Sequence, residues 1–155
     1  MKKGAWKVLL VCLLLSYAVA AIGSVFTMPG VNSSWYQLVR PSITPPDYVF
    51  GIVWNVLFFL IAVSLFFAWT SAKTREDKKR VVKVYAINFV ANIFWSVLYF
   101  SLHQPLWAFI DLVVLGLSIV SIMLATWDED RKVTWLLVPY LLWICFAGVL
   151  NWMSI

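Results

Sequence analysis

Asn88, Asn92, Trp95 and Tyr99 stand four, three and four residues apart, so on a helix they share one face. Amides that donate and accept hydrogen bonds, set beside rings that stack, suit the holding of a planar and partly polar molecule. Trp107 and Asp111 sit one turn apart. A carboxylate within an apolar stretch is costly unless it has an interface, a partner or a proton, so Asp111 reads as a pocket residue. Pro139, Trp143, Ala147 and Asn151 recur every fourth residue, with Phe146 and Leu150 beside them. Small Ala147 leaves room next to the Trp143 ring, a floor for a flat apolar ligand. Phe50, Trp54 and Phe58 repeat at the same interval and give an aromatic helix face. Each set also has a plainer reading: Asn residues tie membrane helices together, a buried Asp can bond a Tyr, Trp or Asn, and Phe146 and Leu150 suit ordinary packing.

Reaction chemistry is harder to find. His103 is the sole histidine and lies at a helix break. Cys12 and Cys145 fall in apolar runs without other ligands nearby, so both read as free, buried thiols. No HExxH, CxxC, phosphate-loop or dinucleotide pattern occurs. Neither a hydrolase, a metal site nor a required cofactor is expected.

The elements that position these residues must lie in a bilayer. Of 155 residues 63% are hydrophobic and 12% charged, against about 45–50% and 25% for soluble domains. Five apolar runs at approximately 5–28, 46–70, 80–102, 105–127 and 132–153 are each long enough to cross about 30 Å of hydrocarbon. The expectation is an all-α integral membrane protein: one transmembrane domain, 1–155, built as a five-helix bundle with a structured first loop. Lys2, Lys3 and Lys7 precede Val8–Phe26 as they would in a signal peptide, but the run exceeds the usual core of about 7–15 residues and reads as a retained span. Ser16, Ala20 and Ser24, with Gly23, give that span a thin face suited to close helix packing. Met28-Pro29-Gly30 is expected to stop it; Ser71–Arg80 reads as a polar loop, His103-Gln104-Pro105 as a tight break, and Asp128–Lys132 as an exposed turn.

Five spans place eleven of the twelve basic residues on one side and only Arg40 on the other. That bias predicts a cytoplasmic N-terminus, with the C-terminus and first loop outside. It accounts for the +5 net charge without a nucleic-acid partner. The alternative role for the 73–83 cluster is recognition of anionic lipid.

The stretch Trp35–Trp54 begins as a loop and ends as a helix. Pro41, Pro45 and Pro46 stiffen it, Thr44 is a candidate N-cap, and the two prolines after it suit a first helical turn. With Trp35 they form a candidate lid over the aromatic face.

These residues, W-Y-x-x-L-x-x-P-x-x-T-P-P-x-x-V-F-x-x-V-W, resemble the signature of the translocator protein family, also called tryptophan-rich sensory proteins or peripheral-type benzodiazepine receptors. Asn92-x-x-Trp95, Asp111-Leu112 and Pro139-Tyr140-Leu141-x-Trp143-x-x-Phe146-Ala147-x-x-Leu150-Asn151 match further positions in the same order, so the likeness covers essentially the whole chain. It implies a bacterial cell-membrane protein, usually a homodimer, that binds porphyrins such as protoporphyrin IX and drug-like isoquinoline carboxamides beneath the first loop. The matching pocket positions are Trp54, Asn92, Trp95, Trp107, Asp111, Trp143, Ala147 and Leu150; Phe58 joins them from its helical spacing. Mammalian relatives also bind cholesterol through a C-terminal L/V-x-Y-x-K/R-like pattern. This chain ends Leu150-Asn151-Trp152-Met153-Ser154-Ile155, without the Tyr or the basic residue, so strong sterol binding is not expected.

Three functions are in view. The first is a receptor or sensor for tetrapyrroles and flat aromatic ligands, with Asn92 and Asp111 orienting polar groups. The second, implied by the resemblance, is light-dependent porphyrin breakdown with the Trp54 and Trp143 indoles as electron partners. The third is a tetrapyrrole or lipid transporter, which the lack of an inverted repeat disfavours.

Overall fold

The computed structural model describes residues 4–155. Among these there is no strand. Six helices follow one another: α1 (Ala5–Val31), α2 (Ser34–Val39), α3 (Asp47–Ser71), α4 (Arg75–Ser96), α5 (Pro105–Thr126) and α6 (Arg131–Trp152). A π-helical turn, Val97–Ser101, extends α4. All but α2 are long and apolar enough to cross a membrane. Lys2 and Lys3, counted above for charge bias, lie outside the described residues.

The spanning helices form a closed ring. α1 packs on α3 and α4, α3 on α6, α6 on α5, and α5 on α4. Neighbours in sequence are therefore not always neighbours in space: α3 and α6 meet although two helices separate them in the chain. In lipid the association of such helices rests on packing and interhelical hydrogen bonds, since the tails are as apolar as leucine. The end of the bundle away from α2 is filled. There Leu65, Ala68, Val81, Tyr85, Ile119, Ile122, Val133 and Leu137 form a continuous buried core. Ser64 and Tyr85 close their hydroxyls on each other at 2.9 Å within it.

Several boundaries differ from the sequence reading, each for a local reason. α1 does not stop at Met28-Pro29-Gly30 but carries Pro29 within its last turns and ends at Val31. Gly30 lets it do so: a Cβ at that position would lie 2.5 Å from Cβ of Phe100, so the helix end can approach the π turn only without a side chain. The first loop contains a helix. Ser33 caps α2 by accepting the Tyr36 N–H at 3.2 Å and donates its own hydroxyl to the Gly30 carbonyl at 2.6 Å. Thr44 is not the cap of α3; Pro46 holds that position, and Thr44 Oγ1 is buried without a partner. Much of the expected 71–80 loop is helix, because Thr74 and Asp77 form a reciprocal capping box that starts α4 at Arg75. α6 starts one residue earlier than expected, at Arg131, with the Asp130 carboxylate accepting the Lys132 N–H. It then carries Pro139 through without a break.

Candidate functional site

At the α2 end the ring is not filled. A cavity of about 530 Å³ lies between the C-terminal halves of α1, α4 and α6 and the N-terminal part of α3, under α2 and the segment after it. Its size is within the usual range for small-molecule sites, roughly 300–1,000 Å³. From α3 come Phe50, Trp54 and Phe58, the aromatic face expected from their spacing. Asn92, Trp95 and Tyr99 enter from α4, and Ala147, Leu150 and Asn151 from α6. Tyr36, Pro41 and Thr44 supply the roof. The resemblance implies a pocket formed by all five helices; α1 does contribute, with Ala20, Gly23, Ser24 and Thr27 among its lining residues, whereas α5 contributes none.

Most polar atoms around this space are already committed. Asn92 Nδ2 donates to the Tyr140 hydroxyl at 3.0 Å, which in turn donates to Asn88 Oδ1 at 3.4 Å. Asn88 Nδ2 continues the chain to Ser118 at 2.8 Å. Trp95 Nε1 donates to Asn151 Oδ1 at 3.0 Å, and Asn151 Nδ2 to the Pro105 carbonyl at 2.8 Å. The plainer reading of these asparagines as interhelical ties thus holds alongside their place at the cavity. What remains for a guest is apolar: the Trp54 ring, tilted on Phe58 with centroids 5.5 Å apart, and Phe50. Asn92 Oδ1 accepts from no donor among the described residues, and with Thr44 Oγ1 on the roof and Asn55 Nδ2 on α3 it is one of a few polar handles. Changing Tyr140 to Phe should orphan Asn92 Nδ2 and Asn88 Oδ1 and lower stability by about 1–2 kcal/mol, read as an earlier thermal unfolding midpoint. An unchanged midpoint would mean the network carries no net stability.

The roof is tied down by rings and one cation. Trp35 does not line the cavity; it stacks on His103 with centroids 4.4 Å apart and meets Tyr99 edge-on at 5.4 Å. His103 adopts a φ of +52° to present its ring there. Tyr36 packs on Phe100 at 5.5 Å. Burial raises the Tyr36 hydroxyl above the ordinary phenol range against the pull of the Arg40 guanidinium, so it stays neutral. Arg40 donates to the Pro45 carbonyl at 2.8 Å and pairs with Asp47 at 3.0 Å. Pro45 and Pro46 stand beside this clamp and do not line the space.

Three other expected pocket residues also stand outside it. The inner face of α5 runs through Ala108, Leu112, Leu115 and Ile119. Trp107 lies off that face and is 58% exposed. Asp111 is half-buried at its edge, with Oδ2 lacking a partner. The Trp143 ring meets Phe50 edge-on at 5.4 Å and Phe146 at 5.5 Å, so it stands behind a lining residue; its Nε1 is buried and unpartnered. No cluster of three or more potential metal ligands occurs among the described residues.

The model of the TspO/MBR family matches residues 11–154. The chain belongs to that family. It is 37% identical over 145 residues to the tryptophan-rich protein TspO of Chlorobaculum tepidum, covering 92% of this chain and 90% of that one. It is 31% identical to protein CrtK of Rhodobacter capsulatus, over 84% of this chain and 80% of the relative. The human translocator protein is 29% identical over 84% of this chain and 78% of its own length. Family membership together with five spanning helices makes this an integral membrane protein with a receptor-type role.

Proposed function

We propose that this protein is a membrane receptor for porphyrins, protoporphyrin IX foremost, and for flat drug-like aromatics, bound in the cavity beneath α2. The observation that carries the reading is the wall: a chamber of about 530 Å³ whose free surface is mainly rings and aliphatic groups, with few uncommitted polar atoms. Such a wall holds a planar apolar guest by burial and ring contact, and Asn92 Oδ1 orients one donor on it. The reading puts α2 outside and the N-terminus in the cytoplasm of a bacterial cell, which the bias of basic residues supports, and takes a homodimer as the functional unit.

Tryptophan quenching in lipid nanodiscs tests this. Protoporphyrin IX should quench saturably and bind at least about tenfold tighter than cholesterol, a gap of roughly 1.4 kcal/mol. Absence of saturable quenching by any planar ligand would remove the reading.

Light-dependent porphyrin breakdown, with dissolved oxygen as the oxidant, is a second reading, favoured by one observation: the Trp54 indole lines the cavity and meets the Tyr140 ring edge-on at 6.2 Å, a pair of oxidisable rings beside the guest. Bound porphyrin should then decay faster under light than in the dark, and Trp54→Phe with Trp143→Phe should slow the lit decay. The packed core below the cavity argues against a through-path for transport.

A further inference from the structure

The cavity wall is uneven. On α4 and α6 every lining residue is buried or half-buried. On α1 and α3 the lining residues Ser24, Met28, Gly51 and Asn55 are exposed, as is Asp47 at the outer end of α3. Residues that both line a chamber and reach the outer surface mark a gap, here between α1 and α3. The gap ends below where Ser16 Oγ donates to the Phe58 carbonyl at 2.7 Å and the Tyr17 hydroxyl reaches Asn55 Oδ1 at 3.1 Å.

Asn55 lies eight residues into α3, so about 12 Å below its outer end. Ile22, Val25, Ile52 and Val56 around the gap are all exposed, as expected of side chains facing acyl tails. A Cβ on Gly51 would meet nothing within 4 Å. The gap therefore looks into hydrocarbon. At its lower edge Asn55 Nδ2 donates to no acceptor among the described residues. An amide left unsatisfied at that depth is costly, and such residues mark functional sites in membranes.

We propose that the gap between α1 and α3 is a lateral portal, through which apolar molecules dissolved in the leaflet beside α2 reach the cavity. Asn55, held by Tyr17, favours those that carry a hydrogen-bond acceptor such as a carbonyl or carboxylate. The portal deepens the receptor reading, but its test uses no porphyrin, so the two can fail separately.

The test places a thiol on the far wall, Ala147→Cys, in the full chain with Cys12→Ala and Cys145→Ala, reconstituted in phosphatidylcholine vesicles. Two probes compete: N-(1-pyrenyl)maleimide, which partitions into the bilayer, and a sulfonated maleimide confined to water. The pyrenyl probe should label Cys at 147 readily and the sulfonated one slowly. Gly51→Phe should slow pyrenyl labelling about tenfold, and Ser24→Phe, from the opposite edge, should do the same. Asn55→Leu should slow it about threefold, since the maleimide carbonyls lose their donor. Pyrenyl labelling insensitive to both Phe variants, or sulfonated labelling as fast as pyrenyl, overturns the portal. An unchanged rate in Asn55→Leu overturns the selection by Asn55.

Discussion

Replacing Trp54 by Ala should weaken protoporphyrin IX binding by about thirtyfold, roughly 2 kcal/mol. The indole lines the cavity on the helix face that also presents Phe50 and Phe58, and its removal takes away both apolar area and a ring contact. Trp54→Phe should recover most of the affinity, because it restores a ring of similar reach. Trp69→Ala is the matched control: Trp69 is half-buried at the opposite end of α3, under the Lys78 ammonium, and lines nothing in the cavity. Quenching titrations of the three variants decide the matter. Equal affinities for Trp54→Ala and Trp69→Ala would place the guest elsewhere.

Gly30→Val should cost about 1–3 kcal/mol of stability, and so lower the unfolding midpoint by roughly 3–10 °C. Any side chain there meets Phe100 Cβ at 2.5 Å and Cδ1 at 2.6 Å, and neither atom is a flexible tip. The carbonyl of the same residue accepts both the Ser33 hydroxyl and the Ser33 N–H, so the displacement passes to α2. Ligand affinity should fall with stability. Gly51→Ala gives the contrast, since open space surrounds that position and Ala favours a helix by up to about 1 kcal/mol. Comparable midpoints for the two variants would show that the α1 end can yield to Phe100 without loss.

The five spans were legible because a bilayer demands long apolar runs, and charges or prolines end them. α2 was less so. Its Ser33 cap signal precedes Trp35 and Tyr36, whose aromatic partners are Tyr99, Phe100 and His103, more than sixty positions away. The site was legible where one helix carries a regular face, as with Phe50, Trp54 and Phe58, or Asn92, Trp95 and Tyr99. Small residues on α1 were ambiguous in principle. Ser16 marks close packing on α3, as expected of the thin face, whereas Ala20, Gly23 and Ser24 one and two turns later line a void. The same absence of bulk serves contact when a neighbour fills it and a chamber when none does. Resemblance and spacing point Trp107, Asp111 and Trp143 to the pocket. The side-to-side rotation of α5, and the interposition of Phe50 before Trp143, are properties of the assembled ring that no single helix encodes.

The π turn at Val97–Ser101 makes the shape of this chamber depend on a number. Such a turn holds one more residue than α-helical winding would place there. Deleting one residue there would let the turn close as ordinary α-helix, whereas inserting one before it, in the regular winding of α4, would swing whatever follows by about 100° around the axis. Tyr99 and Phe100 would then point away from Trp35 and Tyr36, and the ceiling would lose its seat although every aromatic residue was still there. A single-residue insertion at the end of α4 should therefore be tolerated far less well than substitutions within the turn.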